Sequence, residues 1–302
     1  MMECMMEIIK TYKTAKGEIF IGETEEKKLI EFFIQEPINN KLNIVVSTQY
    51  GCSMKCAYCN TKEIEQQENI EEKYLKKQIE FAMHKYNPKK ETKVKIHFAR
   101  VGEPTFNFDI FRMLNDLYCT HFKGFYPQNF YPVIITSMPK KNKRLLDFLA
   151  TYYVYDYTWI GELQLSINIF DNKERKKIMP GSMSIKNISR LFKRLKEDER
   201  FHKDKKITLN FFIYGQKINF KQLKNLFSPN NFLIKITPLY IINDYIKNNM
   251  VSDNYYEWEK YEKSFKDVGY EVIVKNKEVN KDKNRFLGGD GILNLRSITC
   301  KL

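Results

Sequence analysis

Predicted β-strands and α-helices alternate along most of the chain. Leu42–Thr48 is an apolar strand, and Val94, Ile96 and Phe98 alternate with polar residues as the next one. Between them, Ile70–Tyr86 carries apolar side chains at three- and four-residue spacing, which predicts a helix. Further strands are predicted at 132–137, 162–168, 207–213, 232–240 and 271–274, and further helices at 110–118, 142–153, 184–196, 219–227 and 254–267.

Six strand–helix pairs in succession predict an α/β fold with a parallel sheet and right-handed crossovers. Eight pairs close a TIM barrel, so six pairs predict an open, partial (β/α)6 TIM-like barrel. Residues 1–42 are interpreted as a small N-terminal β extension, 43–275 as the core and 276–302 as a basic tail. In such sheets the functional residues gather at the carboxyl ends of the strands.

The charge and the cysteine content of the chain indicate what it binds and in which compartment it works. The 51 Lys and Arg residues exceed the 37 Asp and Glu residues, which gives a net charge of +14. Such an excess attracts polyanions such as RNA, although a solvated basic surface explains it equally well. The start of the chain lacks the pattern of a signal peptide, and no apolar run is long enough for a membrane span. We therefore expect a cytoplasmic protein whose clustered cysteines bind metal rather than form disulfides.

Cys52, Cys56 and Cys59 follow the first core strand directly, with C-x3-C-x2-C spacing. Three thiolates in this pattern can bind three irons of a 4Fe–4S cluster, and the fourth iron then has no protein ligand nearby. One alternative is a zinc site, but structural zinc needs a fourth ligand, and His84 and His97 are distant in sequence. The other alternative is three unrelated buried cysteines.

The cysteine spacing, with an aromatic residue before the last cysteine, resembles the radical S-adenosylmethionine (SAM) superfamily. That resemblance implies that the open iron binds the amino and carboxylate groups of SAM. It also implies that an electron, delivered by a partner such as flavodoxin or ferredoxin, cleaves SAM to a 5′-deoxyadenosyl radical. The cofactor would then carry the difficult chemistry while the protein orients it.

Further motifs extend the resemblance along roughly residues 15–295. In order they are Ser47–Cys52, Phe98–Pro104 with Asn107, Leu165–Asn168, Glu174-Arg175 and Ile178–Pro180. Together they resemble the ribosomal-RNA adenine-C2 methyltransferase branch, which includes C8-methylating antibiotic-resistance enzymes. The resemblance implies that Gly102 and Glu103 hold the amino end of SAM. It also implies that Ser137, Ser166 and Asn168 contact the rest of SAM.

Some positions depart from that branch. The branch has a resolving cysteine seven residues before the first cluster cysteine, where this chain has Val45. Cys300 is a candidate for the methyl-carrying cysteine, although its sequence context differs, and Thr237 replaces an asparagine that contacts SAM. Glu31 matches the proposed proton acceptor, and the alternative is a solvated glutamate on a strand. The helical RNA-binding domain that precedes the branch's core is not expected here.

Three hypotheses follow from these similarities and departures. The first is a radical SAM enzyme that methylates or otherwise modifies an RNA base, in ribosomal or transfer RNA; the charge and the abundant aromatics suit RNA binding. The second is a radical SAM enzyme acting on a peptide or a small molecule, which Val45 favours. The third is a non-catalytic, metal-stabilised RNA-binding protein. The oligomeric state is left open.

Overall fold

The computed structural model describes residues 6–14, 16–119, 129–155, 161–197, 205–238 and 258–274. Ten strands form one sheet whose spatial order follows the chain. They are β1 (Glu7–Thr14), β2 (Gly17–Glu23), β3 (Leu29–Ile38), β4 (Lys41–Val46), β5 (Lys93–Phe98), β6 (Phe130–Thr136), β7 (Glu162–Ser166), β8 (Ile207–Ile213), β9 (Phe232–Pro238) and β10 (Val272–Val274). The helices are α1 (Glu72–Tyr86), α2 (Asp109–Cys119), α3 (Leu145–Tyr155), α4 (Asn172–Ile178), α5 (Ile185–Glu197), α6 (Phe220–Leu226) and α7 (Trp258–Asp267).

The first four strands pair antiparallel. Asn39 and Asn40 join β3 to β4 with φ values of 50° and 56°, the left-handed conformation that a tight hairpin turn requires. The predicted β extension is therefore continuous with the core sheet, and it includes β1, which we did not predict. The domain boundaries at residues 42 and 275 stay predictions, and the predicted tail at 276–302 lies outside the described residues.

From β4 to β10 all neighbouring strands pair parallel. Helices connect each strand to the next, and α4 and α5 share one connection. The predicted α/β class and the partial (β/α)6 barrel are confirmed, and β10 adds a short seventh parallel strand. None of the helices among the described residues is long and apolar enough to cross a bilayer.

The two faces of the parallel sheet differ in polarity. Ile44 and Ile96 are fully buried in the core under the helices, together with Leu75 and Ile79 of α1. The opposite face carries a polar ladder in which Lys95 donates to Glu162, Gln164 donates to Glu162 over 3.2 Å, and Lys235 donates to Gln164 over 3.0 Å. The inside of the partial barrel is thus hydrophilic, while the helix-covered face supplies the apolar burial that stabilises the fold.

Two local features differ from the sequence-based expectations. The predicted strand 162–168 ends at Ser166, because Asn168 adopts a left-handed φ of 48° that extended backbone does not allow. The short helix α4 was not predicted. It begins after Asp171, whose carboxylate accepts a hydrogen bond of 2.8 Å from the Glu174 amide, and this cap compensates for its brief length.

Candidate active site

The three cysteines lie in the loop after β4, at the carboxyl end of the parallel strands. Cys52 and Cys56 are only 9% and 6% exposed, and Cys59 is half-buried. Lys55 adopts a left-handed φ of 50° and turns the loop between the first two cysteines. The thiols are close enough for their charges to interact. The fold therefore brings together the three residues whose spacing predicted a cluster.

Burial is the largest influence on the pKa values of these thiols. It raises the pKa of Cys52 to about 12, and it also raises the pKa of Cys56 and of Cys59. Because burial disfavours bare thiolates, a positive group must compensate them when they act as ligands, as bound metal ions do. The surrounding shell is apolar and consists mainly of Met54, Ile169, Ile178, Met179 and Tyr214.

The donor set fits a cluster better than a single zinc ion. Among the described residues, no three His, Cys, Asp or Glu side chains converge on one ion position. Zinc needs its sulfur ligands about 2.3 Å from a common centre, in a closed tetrahedron. In a 4Fe–4S cluster each thiolate binds a different iron, so the thiolates stand further apart. Cys52, Cys56 and Cys59 supply three sulfur donors, which is the set that a cluster with one open iron needs and one fewer than structural zinc needs.

The Gly-Glu-Pro motif, Gly102–Pro104, lies against the residues that precede Cys52 in the loop after β4. The Glu103 amide donates to the Gln49 side-chain oxygen over 2.8 Å, and the Thr48 amide donates to the Val101 carbonyl over 2.8 Å. Gly102 has a φ of 104°, and a Cβ there would lie 2.7 Å from the side chain of Gln49. Only glycine satisfies both constraints, so the turn needs this residue whatever its role toward SAM.

Glu103 is hydrogen-bonded to Ser137, and both residues are predicted SAM contacts. Its carboxylate is buried and accepts hydrogen bonds from the Ser137 amide over 2.8 Å and from the Thr105 hydroxyl over 2.9 Å. Burial raises the pKa of Glu103, although the hydrogen bonds from Thr136, Ser137 and Thr105 act in the opposite direction. The same carboxylate acts electrostatically on the Cys52 thiol. Glu103 therefore stands beside the cysteines and positions Ser137, and its carboxylate accepts four hydrogen bonds, from the amide and hydroxyl of Thr105, the amide of Ser137 and the side chain of Thr136.

Asn168 links the end of β7 to the cysteine loop. Its side-chain amide donates to the Tyr58 hydroxyl over 3.0 Å, and Tyr58 precedes Cys59. The side chain is 1% exposed, and its carbonyl oxygen has no hydrogen-bond partner. Buried acceptors are almost always satisfied, so this oxygen calls for a donor from a bound group. The ammonium and ribose hydroxyls of SAM are such donors, so this residue fits the cofactor that the motifs predicted. Ser166, two residues earlier, is half-buried beside Asn210 of β8.

Arg175 is a site residue to which we assigned no role from the sequence. It is almost fully buried, and it donates to the carbonyls of Ile167, Met183 (2.8 Å) and Ser137 (3.4 Å). Burial lowers the pKa of Arg175 to about 10, still far above neutral pH, so its charge persists beside Tyr58 and Cys56. Its place in the quoted Glu174-Arg175 motif was the only signal for it.

Glu31 is not on a solvated surface, so that alternative is wrong. It is completely buried on β3, where it forms an ion pair of 2.6 Å with Arg100. The Arg100 guanidinium also acts on Cys59, partly offsetting the burial that raises the pKa of that thiol. Val45 lies on the neighbouring strand, in register with Phe33. The proposed proton-acceptor role of Glu31 stays a prediction, and Cys300 lies outside the described residues.

No family model matches this chain. Over 168 residues, 55% of this chain, it is 27% identical to the probable dual-specificity RNA methyltransferase RlmN of Endomicrobium trichonymphae. The match spans 44% of that relative, less than half of its length.

Solved structures extend the likeness to the fold. A radical SAM methyltransferase from Sphaerobacter thermophilus superimposes with a TM-score of 0.70 and 15% identity, over 89% of this chain and 76% of that one. The chain has the radical SAM fold. SuiB from Streptococcus suis superimposes with a TM-score of 0.50 and 17% identity, over 79% and 53% of the two chains. The predicted resemblance to the radical SAM superfamily, with a core like that of the RNA methyltransferases, is confirmed by these likenesses.

Proposed function

We propose that this protein is a radical SAM enzyme that modifies an RNA base, most simply by methylation. The observation that carries the proposal is that the three cysteines, Glu103 and Asn168 lie close together at the carboxyl ends of the parallel strands. When bound, a 4Fe–4S cluster and SAM supply a 5′-deoxyadenosyl radical by one-electron cleavage of SAM. The electron comes from a carrier protein of the flavodoxin or ferredoxin type.

The residues around the cysteines have separate tasks in this proposal. Cys52, Cys56 and Cys59 hold the cluster. Glu103 pairs with the ammonium group of SAM, as carboxylates do with buried cations. The unpartnered oxygen of Asn168 accepts a hydrogen bond from SAM, and the hydroxyls of Ser137 and Ser166 complete the polar contacts. Gly102 keeps the turn close to Gln49, so that Glu103 faces the cysteines.

RNA is the proposed substrate for two reasons. The net charge of +14 favours attraction to a phosphate backbone, and such binding weakens steeply as salt rises. The curated relative, which matches just over half of this chain, is named an RNA methyltransferase. Ribosomal and transfer RNA are both suitable substrates, because each presents unpaired bases that a protein can draw out and stack.

For methyl transfer, Cys300 is the proposed methyl carrier and Glu31 the proposed proton acceptor. Mass spectrometry of the tail peptide after turnover tests the first role: we expect a methylated Cys300, and unchanged turnover in Cys300→Ala would contradict it. A second candidate function is radical chemistry on a peptide or small molecule. Val45 in the resolving position and the engagement of Glu31 by Arg100 favour that candidate.

The proposed function is tested by anaerobic reconstitution. We expect a brown protein with about four irons per chain. Added reductant and SAM should yield 5′-deoxyadenosine in the wild type. Cys56→Ala should abolish this product, whereas the matched variant of the exposed Cys119, Cys119→Ala, should keep it. Colourless protein that binds one zinc and makes no product would support a non-catalytic RNA-binding protein instead.

The substrate is tested by comparing cellular RNA from strains with and without the gene by mass spectrometry. A modified base that depends on both the gene and Cys56 supports RNA modification. If no base changes while purified protein still makes 5′-deoxyadenosine, the substrate is a peptide or small molecule.

A further inference from the structure

Thr61 is a buried residue beside the cysteines that has no task in the proposed function. It lies in a short 3-10 helix, Asn60–Glu63, which begins directly after Cys59. Only 3% of Thr61 is exposed, and its hydroxyl oxygen lies 2.9 Å from the Cys59 sulfur, within hydrogen-bond distance. Buried hydroxyls need partners, and among the described residues this one bonds cysteine sulfur rather than oxygen or nitrogen.

The short helix does not need the Thr61 hydroxyl for its own hydrogen bonds. The Ile64 amide donates to the Thr61 carbonyl over 3.2 Å, and the Lys62 amide donates to the Cys59 carbonyl over 3.4 Å. Both bonds join backbone atoms, so any residue at position 61 would keep them. The contact between the hydroxyl and the sulfur is therefore a separate property of the threonine side chain.

Thr61 directs two donors at Cys59 and shares one of them with Cys52. A cysteine that binds iron is a thiolate without a proton, so the Thr61 hydroxyl must be the donor in its bond to Cys59. The Thr61 amide also donates to the Cys59 sulfur. The same hydroxyl acts as a hydrogen-bond partner of the Cys52 sulfur. Thr61 thus contacts the first and the third of the three predicted cluster ligands.

We infer that the Thr61 hydroxyl raises the one-electron reduction potential of the cluster held by the three cysteines. The inference rests on the cluster of the proposed function and deepens it. Reduction moves one electron from an external reductant to the cluster, and it makes or breaks no bond at Thr61. The added negative charge is shared with the cysteine sulfurs, so a donor to these sulfurs stabilises the reduced form more than the oxidised form. Thr61 therefore acts through the cluster ligands, as a residue that positions them and tunes their charge.

Three variants separate the hydroxyl from the rest of the residue. Thr61→Val removes the hydroxyl and keeps both the branched shape and the amide, whereas Thr61→Ser restores the hydroxyl. The control is Thr92→Val, because Thr92 is also 3% exposed and its hydroxyl donates to the Asn40 side chain over 2.9 Å, at the amino end of β5. Each protein is reconstituted anaerobically without SAM. Its midpoint potential is then measured by a redox titration that follows the EPR signal of the reduced cluster.

We expect Thr61→Val to lower the equilibrium constant for reduction by about tenfold, the effect of losing one hydrogen bond to a charged acceptor. For one electron this is a midpoint potential about 59 mV more negative. Thr61→Ser and Thr92→Val should keep the wild-type potential. Partial loss of iron does not obscure the result, because the potential does not depend on how much protein holds the cluster. If Thr61→Val binds no iron, the smaller Thr61→Ala, which also lacks the hydroxyl, takes its place.

An unchanged potential in the hydroxyl-free variant would overturn the inference, and so would an equal shift in Thr61→Ser or in Thr92→Val. Pulsed EPR of the reduced proteins in D2O is the second measurement. An exchangeable deuteron coupled to the cluster should be present in the wild type and in Thr61→Ser and lost in Thr61→Val, while the amide deuteron stays. Equal couplings in all three proteins would contradict the hydroxyl hydrogen bond. A wild type without a cluster would overturn both proposals, whereas a cluster tuned by Thr61 that forms no 5′-deoxyadenosine would overturn the proposed function alone.

Discussion

Glu31 and Arg100 form an ion pair that is sealed from solvent. One carboxylate oxygen of Glu31 lies 2.6 Å from a guanidinium nitrogen of Arg100, and the two side chains are 0% and 2% exposed. Ser47 spans the same two segments, since its hydroxyl donates to the Glu31 carbonyl and accepts from the Val101 amide over 3.1 Å. The antiparallel strands are thereby joined to the loop that carries Gly-Glu-Pro.

Removing one partner of this pair should destabilise the fold. Glu31→Gln leaves a buried guanidinium without its counter-charge, and such losses cost about 3–5 kcal/mol. The double variant Glu31→Leu with Arg100→Met should recover most of that loss, because apolar side chains can replace a buried pair. Urea denaturation of the apo-protein measures both values. If Glu31→Gln keeps full stability and loses only turnover, Glu31 acts as a proton acceptor and not as a structural anion.

Asn168→Ala should weaken SAM binding by about tenfold, because the cofactor loses a hydrogen bond worth about 1.4 kcal/mol. The left-handed φ of 48° at this position strains alanine, so Asn168→Gly, which relieves the strain, should show the same loss. Equilibrium binding of SAM to reconstituted protein is the measurement. Tyr58→Phe is the control, since it removes the hydroxyl that bonds both the Asn168 side-chain amide and the Cys56 thiol but leaves the Asn168 carbonyl oxygen in place. An equal loss in the control would place the effect in the cysteine loop.

Arg175→Lys should destabilise the protein by about 2–4 kcal/mol. A single ammonium cannot reach the carbonyls of Ile167, Met183 and Ser137 together, and each buried carbonyl left without a donor costs about 1–3 kcal/mol. Chemical denaturation of the apo-protein measures this difference. The matched control is Arg190→Lys on the exposed face of α5, which should change stability by less than about 0.5 kcal/mol. Equal effects in the two variants would show that Arg175 is not a structural hub.

The apo-protein should lose stability at alkaline pH. Burial raises the pKa of Cys52 to about 12 from a reference value of 9.0, and it raises the pKa of Cys56 as well. Above pH 9 the unfolded chain therefore binds fewer protons than the folded chain, so the free energy of unfolding falls as pH rises towards 12. Denaturation of wild type and of Cys52→Ala with Cys56→Ala between pH 8 and 11 measures the effect. If the free energy of unfolding falls equally with pH in both proteins, the buried-thiol assignment is contradicted, since the variant should show the shallower fall.

Local patterns in the sequence were enough to predict the parallel strands, most of the helices and the cysteine loop. Apolar periodicity depends on neighbouring residues alone, so the strand at Leu42–Thr48 and the helix at Ile70–Tyr86 were close to β4 and α1. The spacing of Cys52, Cys56 and Cys59 likewise lies within eight residues. The short helix α4 was missed because a capping residue, and not periodicity, decides its start.

Only the tertiary structure decided which distant residues meet. Glu31 and Arg100 are 69 positions apart, and Asn168 and Tyr58 are 110 apart, so no local pattern relates them. Strand order and burial bring each pair together, because a buried charge or amide needs a partner that the chain supplies from elsewhere. The sequence thus determined the elements and the metal-binding motif, and packing determined the electrostatics around that motif.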